Sequence, residues 1–335
     1  MRTHVISSRF LFVCLLGLIV TLAACGQATN SQTSNSTPAN SATTPTPTPA
    51  LDNYGTPIAI PKTVPLRIVS LAPSISEILG ALELQNRVVG VDAFTNYPAS
   101  MATIKKVSSS TGINVESIVA LKPDLVLSSG GLSNKYDTQL TRLGVQVVDL
   151  PSPDLAKTLD QITLVGRLTH TEDKAQSLVK RMQQQITQIQ NTIKGTPAKK
   201  ALLEVDNSTP GKPYVFGGGS FGDEMAQYTN VTNIFHDNKT NGGYPQVTDE
   251  SVIAANPQYV ILTEDPLYGG QPSAVYKRAN WGNIEAVKSH QVYHINSDIM
   301  QRPGPRIVQG LRCLAQIVHP DKFSEKLPAY CAANV

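Results

Sequence analysis

Two parallel-sheet α/β lobes joined by one long rigid α-helix are the architecture that this 335-residue sequence predicts, and three observations predict it. The first is the stretch 169–194, where Ala175, Leu178, Val179, Met182, Ile186, Ile189 and Ile193 recur at helical spacing. A single apolar stripe of that kind marks a helix packed on one side and solvated on the other. Thr169 and Glu172 stand in the relation of a capping box, and Gly195 and Pro197 stop the run. At a rise of roughly 1.5 Å per residue the rod would be about 37 Å long. The second observation is a duplication on either side of the rod. Residues 115–127 (VESIVALKPDLVL) and 249–261 (DESVIAANPQYVI) match at Glu116/Glu250, Ser117/Ser251, Ala120/Ala254, Pro123/Pro257 and Val126/Val260. Each copy reads as a short helix, a proline turn and a buried strand. The third observation is that strand and helix patterns alternate on both sides of the rod, which implies parallel sheets.

The elements follow in order. Residues 1–24 read as a signal segment: Arg2 and Arg9 accompany an apolar run that is short for a membrane span of about 20 residues. Leu22-Ala23-Ala24-Cys25 resembles the lipobox of lipoproteins, which makes Cys25 the expected lipidation site, with plain secretory cleavage as the alternative. Residues 25–64 are rich in Ser, Thr, Asn, Pro and Ala and read as a disordered tether. The first lobe takes residues 65–168. LRIVSL (66–71) is a strand, Ser74 and Glu77 form a capping box that opens a helix through Leu84, and VVGV (88–91) is the next strand. A loop with Phe94 and Tyr97 follows, then a polar loop with Ser110, then the first duplicated unit, which ends at Ser129 and Gly130. A helix halted by Gly144 and the strand VQVVDL (145–150) complete the lobe.

The connecting helix is assigned to residues 169–195, and the second lobe with the tail to 196–335. KALLEV (200–205) is its first strand. Tyr214, Phe216 and the GGGS run (217–220) precede a helix, and NGGYP (241–245) leads into the second duplicated unit. Trp281 lies on a short helix, VYHI (292–295) is a strand, and a loop from Ser297 to Arg306 leads to an apolar helix through Val318. Ligands of parallel sheets lie beyond the carboxyl ends of the strands. Phe94, Tyr97, Ser110, Ser129 and Gly130 are therefore the first lobe's candidate ligand-binding residues.

Composition narrows the function classes. Removing Arg2 and Arg9 from the 28 basic side chains leaves 26 against 25 acidic ones. With no basic run and no basic–aromatic interleaving, nucleic acid is excluded as a partner. Once Cys14 leaves with the signal and Cys25 is lipidated, Cys313 and Cys331 remain, free to form a disulfide in an oxidising compartment. There is no CxxC pattern, and His170, His236, His290, His294 and His319 are scattered, so no metal site is expected. The GGGSFG run is followed by no Walker lysine, and no GxSxG elbow is present, so neither nucleotide binding nor hydrolysis is indicated. Glu116 and Glu250 each sit at a helix start, where a carboxylate complements the helix dipole. As a matched pair on two lobes they could alternatively engage two basic sites on a partner.

RIVSLAPSISEIL, VESIVALKPDLVL, YPQVTDESVIAANPQYVIL, WGNIEAVKSHQVYHI and RPGPRI, in that order, resemble the substrate-binding proteins of ABC importers. The likeness covers residues 66–318. It is to the class with two α/β lobes on one long helix, which has cobalamin-, haem- and ferric-siderophore-binding members, and it is strongest to the cobalamin-binding ones. The resemblance implies that Glu116 and Glu250 dock on arginines of the permease. It places Phe94 at an aromatic cleft position and Tyr244 at a tryptophan position. Ser110 and Ser129 also fall where those members have tryptophan, and Gln301 replaces an acid. Tyr97 and Phe216 could supply further aromatic surface to a macrocycle, with Asp298, Gln301 and Arg302 completing the ligand set. Arg302 and Arg306 could instead hold an acidic chelate or pair with Asp298. One cysteine of those members' disulfide corresponds to Cys313, and the other is absent.

The implied protein is an extracytoplasmic, lipid-anchored monomer on the outer face of the cell membrane, with no enzymatic activity and no cofactor of its own. It would capture cobalamin or a related corrinoid, or alternatively a ferric siderophore or haem. Delivery would be to an ABC permease and ATPase complex, with little lobe motion about the stiff helix. A manganese or zinc receptor of the same architecture would need histidines at the cleft, and these are poorly placed for one.

Overall fold

The computed structural model describes residues 49–131, 134–151, 154–264 and 270–332. The expected signal segment, the lipidation at Cys25 and the tether as far as residue 48 lie outside the described residues. The first lobe runs β1 (Ile68–Ser70), α1 (Pro73–Ala81), β2 (Val88–Val91), α2 (Ala99–Ala102), the hairpin β3 (Ser108–Ser109) and β4 (Gly112–Ile113), α3 (Val115–Ala120), β5 (Leu125–Ser129), α4 (Asn134–Arg142) and β6 (Val147–Leu150). Its four-stranded sheet has the order β2-β1-β5-β6, all parallel. Helices α5 (Leu155–Thr169) and α6 (Glu172–Thr192) follow.

The second lobe runs β7 (Lys199–Asp206), β8 (Tyr214–Val215), α7 (Phe221–Tyr228), β9 (Val231–Asn233), the irregular turn α8 (Thr240–Gly243), α9 (Asp249–Ala255), β10 (Tyr259–Leu262), α10 (Pro272–Val275), α11 (Glu285–Lys288), β11 (Val292–His294), α12 (Ser297–Met300) and α13 (Ile307–Val318). Strand β7 pairs in parallel with β10 and β9, β10 pairs with β11, and β8 adds an antiparallel edge. The order β9-β7-β10-β11 thus repeats β2-β1-β5-β6, so the duplication seen in sequence extends to the whole sheet. In both copies a polar side chain caps the helix: Asn114 accepts from the Ser117 amide at 2.8 Å, and Thr248 from the Ser251 amide at 3.3 Å.

The connector differs from the expected rod in its start. Thr169 is the last residue of α5, and its Oγ1 donates to the Val165 carbonyl at 2.7 Å. His170 then turns the chain through the left-handed region (φ 56°) and α6 begins at Glu172 without a side-chain cap. The Thr169/Glu172 capping box is therefore not formed. The buried face of α6 is the one the sequence shows, with Ala175, Leu178, Met182, Ile186 and Ile189 inward, and Gly195 (φ 78°) lies just beyond its end. Its 21 residues span about 31 Å. This face packs on α5 and α13 in one continuous apolar core that also takes in residues of both sheets, such as Leu127 and Leu203. Each lobe keeps a separate core on its outer face, around Val126 in the first and around Trp281 in the second.

Two further differences bear on function. Ser74 does not cap α1. The N-cap is Ala72, Ser74 is the second helical residue, and Glu77 turns away to bond Arg306. Nor does α1 reach Leu84, because Glu83 is in the left-handed region (φ 61°). The last part of the segment read as tether lies against the first lobe. The Asn53 amide donates to the Asp149 carbonyl at 2.8 Å, the Tyr54 hydroxyl to Asp137 at 3.1 Å, and Ile58 and Ile60 pack on the core.

Candidate functional site

Between the lobes lies a cleft of about 470 Å³. The first lobe contributes Ala72, Pro73 and Ser74 at the start of α1, and Ser129 and Gly130 at the carboxyl end of β5. From the second come Gly219, Ser220 and Phe221 at the start of α7, Gly242 and Tyr244 after α8, and Gln301, Arg302 and Pro303 after α12. A larger hollow of about 670 Å³ follows the solvent side of α6, but polar side chains of that single helix line it and it encloses nothing. The cleft is thus where a doubly built α/β scaffold brings strand ends and helix starts together.

The glycine run serves this geometry. A side chain at Gly217 or Gly218 would run into the backbone of Asn238 or His236, and one at Gly243 into Ser220. Gly219 needs its left-handed φ of 81°. Ser220 then caps α7, accepting from the Asp223 amide at 3.2 Å while donating to the Gly217 carbonyl at 2.7 Å.

One end of the cleft is closed by a charge lattice that joins the lobes. Arg306 grips Glu77 with two bonds of 2.9 and 2.6 Å. Arg302 pairs with Asp298 at 2.6 Å and donates to Asn96 Oδ1 at 2.6 Å, while the Asn96 amide donates to Asp298 at 3.0 Å. The Arg306 guanidinium also lies 4.0 Å from the centre of the Tyr97 ring. Two acids meet two arginines, so the lattice carries no net charge. Burial pushes the Glu77 carboxyl upward, and the bonds from Arg306 work against it. Both arginines are therefore engaged within the protein.

The other candidates fall in distinct places. Phe94 is 62% exposed on the rim, with Tyr97 beside the lattice. Ser110 is exposed at the turn of the β3–β4 hairpin and is not among the residues that line the cleft. Phe216 is 1% exposed and lies beneath Tyr244, with ring centres 5.6 Å apart, so it supports the wall and does not form it. Gln301 lines the cleft and also seals strand ends, donating to the Thr263 carbonyl at 2.8 Å. Glu116 and Glu250 are exposed at matching positions in the first turns of α3 and α9. Cys313 and Cys331 are bonded to each other and tie the tail to α13. Sequence reasoning missed Ser74, Phe221, Glu77 and Asn96. The first two follow directly on strand ends and glycine turns, which is a readable signal; the last two are recognisable only through their partners.

The second lobe buries a separate ionic cluster. Arg278 makes two 2.6 Å bonds to Glu204 and lies 4.5 Å from the centre of the Trp281 ring. Burial and the nearby Glu204 push the Glu264 carboxyl up to about 9, and burial also raises Asp249, the neighbour of Glu250. Among the described residues, no group of three or more His, Cys, Asp or Glu could hold a metal ion.

Comparison with known proteins agrees with this architecture. The chain is 34% identical over 322 residues to an uncharacterized ABC transporter substrate-binding lipoprotein of Bacillus subtilis, covering 94% of this chain and 98% of the relative. It is 28% identical over 250 residues to the vitamin B12-binding protein of Salmonella typhi, covering 74% and 88%. Among solved structures, a possible iron-binding, periplasmic solute-binding protein of Staphylococcus epidermidis superposes with a TM-score of 0.67 at 29% identity, over 77% of this chain and 100% of that one. The periplasmic binding protein family model matches residues 68–299. With that match spanning both lobes and the helices between them, the chain belongs to the periplasmic binding protein family.

Proposed function

We propose that this substrate-binding component of an ABC transporter captures cobalamin or a related corrinoid between its lobes and hands it to a permease and ATPase complex. The observation that carries the ligand reading is the balanced wall of the cleft. The single charged lining residue among the described residues, Arg302, is already paired with Asp298, and Arg306 with Glu77. A ligand without large net charge suits such a wall, whereas a multiply acidic chelate would need arginines that are free. The relative from Salmonella typhi, named for vitamin B12 binding, supports the same choice. A cleft of this size grips part of a macrocycle and leaves the rest against the rim aromatics Phe94 and Tyr97. Haem or a ferric siderophore is the alternative cargo.

Exposed Glu116 and Glu250 are the docking points on this reading, one per lobe. The signal segment, lipidated Cys25 and the tether would hold the body at the outer face of the membrane. One experiment addresses the whole reading. The full chain and its Glu116→Ala/Glu250→Ala variant are titrated with cyanocobalamin by calorimetry, then assayed for stimulation of the reconstituted transporter. Submicromolar binding by both proteins is expected, with stimulation by the unaltered chain only. No binding would overturn the corrinoid reading, and equal stimulation would overturn the docking assignment. Mass spectrometry of the membrane-extracted chain reads the lipid on Cys25 directly, and an unmodified Cys25 would sink the anchor.

A further inference from the structure

We propose that the open N-terminus of α1, with the hydroxyls of Ser74 and Ser129, seats one oxyanion of the ligand, a phosphodiester or a carboxylate. This rests on the reading of the cleft as the ligand site. Helix α1 has nine residues and begins on the cleft wall. Its N-cap, Ala72, offers no capping side chain, and Pro73 has no N–H. The amides of Ser74 and Ile75 are therefore left as donors at the positive end of the helix.

A second observation is independent of the helix. Ser74 is 6% exposed and Ser129 is 9% exposed, both line the cleft, and among the described residues neither hydroxyl has a hydrogen-bond partner. Both oxygens open onto the cleft, where a ligand can reach them, whereas fully buried hydroxyls are normally satisfied within the protein. Those deeper in the lobe are: Ser76, on the inner side of α1, donates to Ser70 at 2.8 Å and shares a 2.9 Å bond with Thr95, and Ser70 donates to the Ala72 carbonyl at 3.0 Å. Both serines line the ligand space; of the other hydroxyl-bearing lining residues, Ser220 is spent on the Gly217 carbonyl and Tyr244 stands on the opposite lobe. Across the cleft α7 is closed off by its Ser220 cap, which makes α1 the open seat. Among the described residues no Asp or Glu lines the cleft, and Arg302 lines it from the second lobe. Amide and hydroxyl donors with no carboxylate beside them, on a wall of balanced charge, fit a single oxyanion within an otherwise uncharged ligand.

The test compares paired probes on the full chain. One pair is cyanocobalamin and dicyanocobinamide, which lacks the nucleotide loop and its phosphodiester. The other is haem and haem dimethyl ester, whose carboxylates are masked. Each is titrated against the unaltered chain, Ser74→Ala/Ser129→Ala, and Ala72→Asp, which would place a capping carboxylate in the seat. For a phosphodiester ligand the unaltered chain should prefer cyanocobalamin roughly ten- to hundredfold, and both variants should lose that preference. Ala72→Asp should also raise the melting temperature, which separates a filled seat from a damaged fold. If only the haem pair binds, with the acid preferred and the preference lost in the variants, the seat stands for a carboxylate and the corrinoid reading falls. Equal affinity within the pair that binds, or preferences unchanged in the variants, overturns the seat, and with corrinoid binding leaves that reading in place. Binding of neither pair overturns both.

Discussion

The two lobes share a strand order and differ in how each satisfies the carboxylates buried at the carboxyl ends of its strands. In the second lobe the answer is ionic and internal. Arg278, from the segment after α10, is clamped on Glu204 and backed by Trp281, with Glu264 and Asp249 close by. In the first lobe the donors include hydroxyls and backbone amides. Asp137 accepts from Ser128 and Tyr54, both at 3.1 Å, and Asp149 accepts from the Gly131 amide at 2.8 Å. Tyr54 comes from the segment that precedes the lobe. Burial, followed by the nearby carboxylates of Asp149 and Asp137, pushes its hydroxyl upward, which keeps it a neutral donor. A duplicated scaffold has thus acquired an internal counter-ion in one copy and an external strap in the other. The contrast predicts an ionic lobe that is brittle to loss of one partner and a strapped lobe that yields gradually.

The largest effect should follow from breaking the ionic lobe. Arg278→Met leaves Glu204 buried without its cation and should cost about 3–5 kcal/mol in denaturant unfolding. Adding Glu204→Gln should recover most of that loss, since the penalty lies in the stranded charge. A single variant within about 1 kcal/mol of the unaltered chain would show that the second lobe does not depend on the pair.

The next effect reads the same cluster through pH. Burial and Glu204 raise the Glu264 carboxyl from 4.5 to about 9. Between those values the folded chain keeps a proton that the unfolded chain has released, so stability falls as pH rises. The contribution is fully present below pH 4.5 and is lost as pH passes about 9. Glu264→Gln should match the unaltered chain near pH 4.5 and become the more stable protein towards pH 9, as followed by melting temperature. Parallel curves would show that Glu264 does not hold its proton.

How much of this was legible in the sequence depends on the range of the contacts involved. The duplicated unit was readable because its helix, proline turn and strand are local, and the inward stripe of α6 because its period lies within one element. The rod's start was misplaced because Thr169 belongs to α5. That helix buries Thr158 and Gln161 beside Ile162 and Val165, which dilutes its apolar pattern. Phe216 looked like a cleft residue because it adjoins the glycine run. Only the return of the chain at Tyr244 shows that it is covered. Asp298 is a local partner of Arg302, but the first-lobe partners of Arg302 and Arg306 lie more than 200 positions away, at Asn96 and Glu77, so a free chelate-binding pair and a closed lattice look alike in sequence. The open end of α1 was hidden by a misleading local signal. Ser74 and Glu77 have capping-box spacing, yet the helix starts one residue before that serine, and the glutamate serves the other lobe.

The smallest effect probes the strap. Tyr54→Phe removes one hydroxyl that donates to Asp137 and adds no bulk, so the lobe should lose about 1 kcal/mol. The remaining ties hold: Asn53 still donates to the Asp149 carbonyl, Gln146 still donates to the Ala59 carbonyl at 3.0 Å, and Ile58 and Ile60 still pack. Global unfolding should therefore shift little, while limited proteolysis within residues 50–61 should accelerate, because local opening frees that segment before the lobe unfolds. The strap lies close to the cleft, since a side chain at Gly131, next to the lining residue Gly130, would meet Asn53. Faster cleavage with unchanged ligand affinity would make the strap a fastening of the lobe alone. Faster cleavage with weakened affinity would extend the cleft's support to the segment before the first strand. Cleavage at the unaltered rate would show that the hydroxyl does not hold the strap, and that the two lobes differ less than their carboxylates suggest.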